Sequence, residues 1–236
     1  MTNHYQMAIH KLPTLIPKVI VLDIDDCAFT KDSYNFTHPP SNPIISDLSS
    51  HGKGIKSVHC GKTAVSLHPG ALELLQQTYL AKIGENSEPR WSEINVAIAS
   101  SACGRISVDC IQKAFDMLEV LPGTTVRQAI NKGWDAKVLS SARNFHSYGG
   151  HVWVGRTEKL GLSSNKGKSH FPRIKEFTAV EYSQMLFFDD NSWSDNFVAV
   201  RARCPGVICQ HTPKGMQVNE LYEGLAKYYR FYNSEK

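Results

Sequence analysis

Short apolar runs alternate along this chain with stretches whose apolar residues recur every three or four positions. Lys18 to Ile24 is β-branched and lacks polar alternation, the pattern of a strand buried on both faces. Ile94 to Ala99, His151 to Val154, Met185 to Phe188 and Gly206 to Cys209 read as further short strands. His68-Pro69-Gly70 opens a helix, with Pro69 near its first turn and Leu72, Leu74, Leu75 and Tyr79 supplying apolar contacts. Ile106, Cys110, Ile111, Ala114 and Leu118 fall at helical spacing, and Phe171 to Ala179 and Val218 to Tyr229 read as helices too. Strands alternating with helices predict an α/β fold: a Rossmann-like, mostly parallel sheet with helices on both faces. Two segments stand outside that rhythm. Residues 31–63, rich in Pro, Ser, His and Gly, predict a small flap or cap with room for a hairpin, and 122–150 predicts an insertion. The expectation is one domain over residues 1–236.

Composition narrows the class of function. With 42% hydrophobic and 20% charged residues, the chain suits a soluble globular protein rather than a disordered one. A formal charge of +4, with no block of Lys and Arg, argues against a nucleic-acid partner. No apolar stretch approaches the roughly 20 residues that span a bilayer, so no membrane partner is expected. The stretch before Val19 lacks the apolar core of a secretory signal. Cys27, Cys60, Cys103, Cys110, Cys204 and Cys209 show no CxxC spacing, which points to reduced thiols and a cytoplasmic location.

The chemistry lies where strands end. Asp23, Asp25 and Asp26 follow the first run directly, Ser100 and Ser101 follow the second, and Asp189 and Asp190 follow Phe188. In open α/β sheets ligands bind beyond the carboxyl ends of the strands. Neighbouring parallel strands would therefore gather several mutually repelling carboxylates at one crevice, and something cationic must offset them. Such a set suits Mg²⁺, which takes one or two carboxylates together with phosphate oxygens.

These stretches resemble the haloacid dehalogenase superfamily. D-I-D-D-C at 23–27 is similar to its first motif, Ser100 to its second, Lys166 or Lys168 to its third, and F-F-D-D at 187–190 to its fourth. L-D-I-D, H-P-G-A-L-E-L-L, A-S-S, K-S-H-F and S-Q-M-L-F-F-D-D are most similar to the eukaryotic magnesium-dependent phosphatases of the acid-phosphatase type. The resemblance implies a phosphomonoesterase working through an aspartyl-phosphate, with Asp23 as nucleophile and Asp25 as general acid and base. It further implies Mg²⁺ between Asp23, Asp25 through its backbone carbonyl, and Asp189 or Asp190. Ser100 would hydrogen-bond a phosphoryl oxygen, and a lysine, Lys168 in preference to Lys166, would balance charge. The implied partner is a phosphoprotein, a phosphosugar or a small phosphometabolite, since a short flap leaves the site open.

Three positions depart from the relatives. Cys27 stands where Thr or Val is usual, Ser101 where an Arg is usual, and Gly167 where the lysine is usual. Arg105 is a candidate replacement for the missing guanidinium. Plainer roles compete with the sharp ones: Ser100 could cap the next helix, Asp195 suits a cap for the segment after the fourth-motif strand, and loop lysines are ordinarily solvated. Trp153, Trp193 and the Tyr228-Tyr229 pair read as packing residues. His59 to Thr63 lacks the upstream glycine of a phosphate loop, since Lys56 stands there, and Cys60 lacks the arginine of a cysteine phosphatase, since Ser66 does. The rival function is a non-catalytic scaffold, which would need neither Asp23 nor Asp25.

Overall fold

A computed structural model describes residues 12–191 and 195–234; Trp193 lies outside the described residues. In chain order the elements are β1 (Val19–Leu22), β2 (Pro40–Asp47), β3 (Lys53–Cys60), β4 (Thr63–Ser66), α1 (Pro69–Lys82), β5 (Asn95–Ser100) and α2 (Arg105–Met117). There follow β6 (Glu119–Leu121), β7 (Thr124–Thr125), α3 (Val126–Asn131), α4 (Ala136–Ser140), β8 (Val152–Val154) and α5 (Lys166–Thr178). The chain closes with β9 (Met185–Asp189), α6 (Asn196–Arg203), β10 (Ile208–His211) and α7 (Val218–Asn233).

The central sheet has the order β10-β9-β1-β5-β8, and every neighbouring pair is parallel. β1 sits at its centre, and all four of its side chains are buried. Side chains on a strand alternate between faces, so Ile20 and Leu22 join one core and Val19 and Val21 the other. On the first face pack Leu74 and Leu75 of α1, Ile111 and Phe115 of α2, Ile130 of α3, and Leu221 and Leu225 of α7. On the second lie Phe171 and Ile174 of α5 and Val200 of α6. The expected Rossmann-like α/β arrangement, with helices on both faces, is what forms. Among the described residues no helix is long and apolar enough to cross a membrane.

Boundaries moved where polarity hid an element. α5 begins at Lys166, five residues before the expected Phe171, because Asn165 caps it: its side chain accepts the Lys168 N–H at 2.9 Å. The last strand runs from Ile208 to His211 rather than from Gly206 to Cys209. The flap is more regular than a single hairpin. β2, β3 and β4 form a three-stranded antiparallel sheet that continues past residue 63 to Ser66. Its inward positions on β3 include small residues, Gly54, Val58 and Cys60, which leave little apolar signal. Within 122–150, a capping box between Thr125 and Gln128 starts α3. Val126, Ala129 and Ile130 then join the first core, so the segment is packed onto the domain.

Candidate active site

The turn after β1 aims two carboxylates. The Ala28 and Phe29 N–H groups donate to the carbonyls of Asp23 and Ile24, at 3.3 and 2.9 Å, closing a wide turn of π-helical spacing. Such turns are uncommon and cluster at functional sites. Asp26 takes a left-handed φ of +50° inside it, a conformation aspartate tolerates better than most residues. Cys27 is buried beneath the turn, accepts a hydrogen bond from the Thr212 hydroxyl at 3.3 Å, and has its thiol pKa raised by burial. It is a packing residue held as the neutral thiol.

Register puts the ends of β1 and β9 level. Leu22 pairs with Phe188, and the Asp23 N–H donates to the Phe188 carbonyl at 3.0 Å. Lys166, in the first turn of α5, is only 1% exposed and bridges the two strand ends. Its ammonium lies 2.7 Å from Asp23 Oδ1 and 2.6 Å from Asp189 Oδ2. Burial alone would lower its pKa, yet Asp189 and Asp23 hold it above its ordinary value. Burial raises the Asp23 pKa well above the carboxylate range, Lys166 opposes that, and Asp189 and Asp25 add to it. Gly167 next door is required by contact: a Cβ there would lie 2.3 Å from the Ala199 carbonyl oxygen of α6.

The paired aspartates at 189 and 190 occupy different environments. Asp189 Oδ1 accepts the Asn191 N–H at 2.6 Å, while Oδ2 accepts Lys166 and, at 3.1 Å, the Asn196 side-chain amide. Asp190 is half-buried and faces a cavity of about 530 Å³. Oxygens of Asp23, Asp189 and Asp190 lie within 4.8 Å of one another. That is a set of hard donors of the kind a small divalent cation takes. Asp25 also lines the cavity, and its Oδ1 accepts the Ser33 N–H at 2.9 Å. Burial pushes its pKa up to about 6 against the lowering effect of the Ser33 hydrogen bonds.

Comparison with known proteins gives the family. A sequence model described as Acid Phosphatase matches residues 15–230. The chain belongs to that family. It is similar to human magnesium-dependent phosphatase 1, with 40% identity over 57 residues, 24% of this chain and 30% of that protein. A solved structure from Bacteroides fragilis, the N-terminal part of a protein containing a phosphatase domain complexed with Mg, aligns at 14% identity and TM-score 0.40. That alignment covers 90% of this chain and 40% of the other. The matched regions thus span well under two thirds of either relative's length.

The remaining motif residues of this acid phosphatase family member fall unevenly. Ser100 is fully buried: its Oγ accepts the Ala102 N–H at 3.3 Å, and its carbonyl accepts Gly155 N–H and a His170 ring nitrogen. Ser101, not Ser100, is on the cavity wall. Lys168 is exposed on the first turn of α5, and Lys166 takes the place between the carboxylates. The preference for Lys168 therefore gives way to Lys166, because the residue that starts the helix points inward while the one two positions later points to solvent. Arg105 does not line the cavity; its guanidinium lies 5.5 Å from the centre of the Phe145 ring. Asp195 caps α6 by accepting the Val198 N–H at 3.0 Å.

Sequence reasoning missed Arg156, Asn196, Ser164, Asp32 and Tyr34, all on the cavity wall. Arg156 could have been found as the charged residue two positions past a strand. The flap residues had no signal, because only the tertiary fold brings 32–34 back over the β1 turn.

Proposed function

We propose that this protein is a Mg²⁺-dependent phosphomonoesterase that works through an aspartyl-phosphate on Asp23. The observation that carries the reading is the buried Lys166 clamp between Asp23 and Asp189, set beside Asp25 on the wall of one cavity. In this reading an Asp23 carboxylate oxygen attacks phosphorus and the bond from phosphorus to the leaving oxygen breaks. Asp25 gives its proton to that oxygen, then takes one from the water that attacks the phosphorylated Asp23. Inorganic phosphate leaves and both carboxylates return to their starting state. A pKa of about 6 suits Asp25 to both halves of this cycle near neutral pH.

Asp23, Asp190 and the Asp25 main-chain carbonyl would hold Mg²⁺. Asp190 is preferred over Asp189 as ligand, because Asp190 lines the cavity whereas Asp189 is fully buried beneath it. The bound ion supplies positive charge that screens a phosphate dianion from the surrounding carboxylates. Lys166 fixes the Asp23 carboxylate, and the Ser101 hydroxyl replaces the buried Ser100 as a partner for the phosphoryl group. The substrate is a phosphorylated small molecule or protein, and the cytosol is the proposed location.

The test is hydrolysis of an aryl phosphate by the wild type, Asp23→Asn and Asp25→Asn, with Mg²⁺ and with excess EDTA. Activity should vanish in EDTA and in Asp23→Asn. It should drop about 10²–10⁴-fold in Asp25→Asn for poor leaving groups and far less for activated ones. Turnover by pure Asp23→Asn at the wild-type rate would remove the covalent mechanism.

A further inference from the structure

The cavity wall carries Asp23, Asp25, Asp32 and Asp190 with Lys166, and it also carries Arg156 together with Ala102 and Cys103. Lys166 is fully engaged by its two carboxylates. Arg156 is exposed on the wall and, among the described residues, forms no ion pair. It is the one cavity-lining cation of the described residues that no carboxylate holds. A guanidinium facing an otherwise acidic cavity is a standing site for an anion, and its planar fork suits carboxylate or phosphate.

The backbone places Arg156 firmly. Gly155 donates its N–H to the Ser100 carbonyl at 2.7 Å, and Arg156 donates its own to the Ala102 carbonyl at 3.2 Å. The turn needs glycine: Gly155 has φ +100°, and a Cβ there would come within 2.7 Å of His146 and Val108 side-chain atoms. β8 is two strands from β1 in the sheet order. At strand spacings near 4.8 Å, the Arg156 backbone stands about 10 Å to the side of Asp23. Arg156 thus faces the part of a substrate beyond its reacting phosphate.

We infer that Arg156 forms a subsite for a second anionic group, so that the preferred substrates are phosphomonoesters carrying a carboxylate or second phosphate apart from the reacting one. This inference rests on the phosphomonoesterase reading above. It is tested with two phosphotyrosine peptides that differ only in Glu or Gln beside the phosphotyrosine, hydrolysed by wild type, Arg156→Gln and Arg156→Lys. Wild type should favour the Glu peptide in kcat/KM by about tenfold, the scale of one charge-assisted contact. Arg156→Gln should abolish the preference and Arg156→Lys should keep part of it. Equal rates for the two peptides with wild type, or a preference that survives in Arg156→Gln, would overturn the subsite. So would equal losses on both peptides, which would make Arg156 a ligand of the reacting phosphate. If wild type hydrolyses neither peptide, the aryl phosphate assay above decides the phosphatase reading separately. Equilibrium binding of the matching phosphonate peptides then decides the subsite by the same ratio.

Discussion

Two lysines are drawn into this domain at opposite ends of one sheet, and they end in opposite states. Lys166, at the carboxyl end, is fully buried between two carboxylates and kept charged. Lys82, in the last turn of α1, donates to the Ile94 carbonyl at 2.5 Å, just before β5 begins. With a neutral dipole as its hydrogen-bond partner, burial lowers its pKa to about 7. Around it the amino end of the sheet carries other under-served groups. Asn95 Oδ1 and His151 Nδ1 are buried without a hydrogen-bond partner, and burial lowers the His151 pKa to about 3. For these two lysines the partner decides the outcome: two carboxylates outweigh the effect of burial on Lys166, and a lone carbonyl does not on Lys82. The carboxyl end sets its charged groups against one another and holds them still, as a site for chemistry requires, whereas the amino end neutralises its polar groups.

The largest effect that would break this contrast comes from Lys166→Met. It leaves Asp23 and Asp189 buried without their shared cation, and breaking a buried pair in this way costs about 3–5 kcal/mol. We expect the urea midpoint to fall accordingly at neutral pH, with activity lost. A stability change near zero would mean that the two carboxylates do not depend on Lys166.

Asp189→Asn and Asp190→Asn sharpen the comparison within the carboxyl end. Asp189 holds Lys166, Asn191 and Asn196, so its loss should cost about 1.5–3 kcal/mol in denaturant, the scale of hydrogen bonds to a charged group. Asp190 lines the cavity, so its Asn variant should lose most of the stabilisation that added Mg²⁺ gives. Thermal melts across a Mg²⁺ series separate the two. If Asp189→Asn abolishes the Mg²⁺ response and Asp190→Asn leaves it intact, the ligand assignment is reversed.

Much of the fold and the site is legible in the sequence, for physical reasons. Val19–Leu22 and Met185–Phe188 are short apolar runs that only a doubly covered strand accommodates, so the sheet and the acids at its ends could be placed. The choice between Lys166 and Lys168 fell on Lys168, because a polar first turn of Lys-Gly-Lys-Ser looks like a loop until Asn165 is seen to cap it. Its polarity belongs to the site rather than to solvent. Ser100 and Ser101 alternate in direction at a strand end, and one residue of register decides which hydroxyl meets the cavity. The three-stranded sheet within the flap escaped because Gly54, Val58 and Cys60 bury small surfaces. Arg156 escaped because it stands two residues past β8, beyond Gly155, rather than at the strand end itself.

The smallest effect concerns Lys82 and fixes the sign of the contrast. Its pKa is near 7 in the folded protein and about 10.4 in the unfolded chain. Between those values the unfolded state binds the extra proton, so wild-type stability should rise with pH from about 7 towards 10, by at most about 1.4 kcal/mol per unit. The half-buried position of Lys82 trims that slope. Lys82→Met removes the titrating group, keeps the aliphatic packing and leaves the Ile94 carbonyl without this donor. At pH 7 the variant should lie between neutral and about 1–2 kcal/mol more stable than wild type, as when a buried ion is replaced by an apolar side chain. That advantage should shrink as the pH approaches 10, where wild-type Lys82 folds at little cost. Urea titrations of both proteins at pH 7, 8.5 and 10 give the three differences. A variant less stable at pH 7 and no better at pH 10 would show that Lys82 is held as a paired cation, and the two ends of the sheet would then be alike.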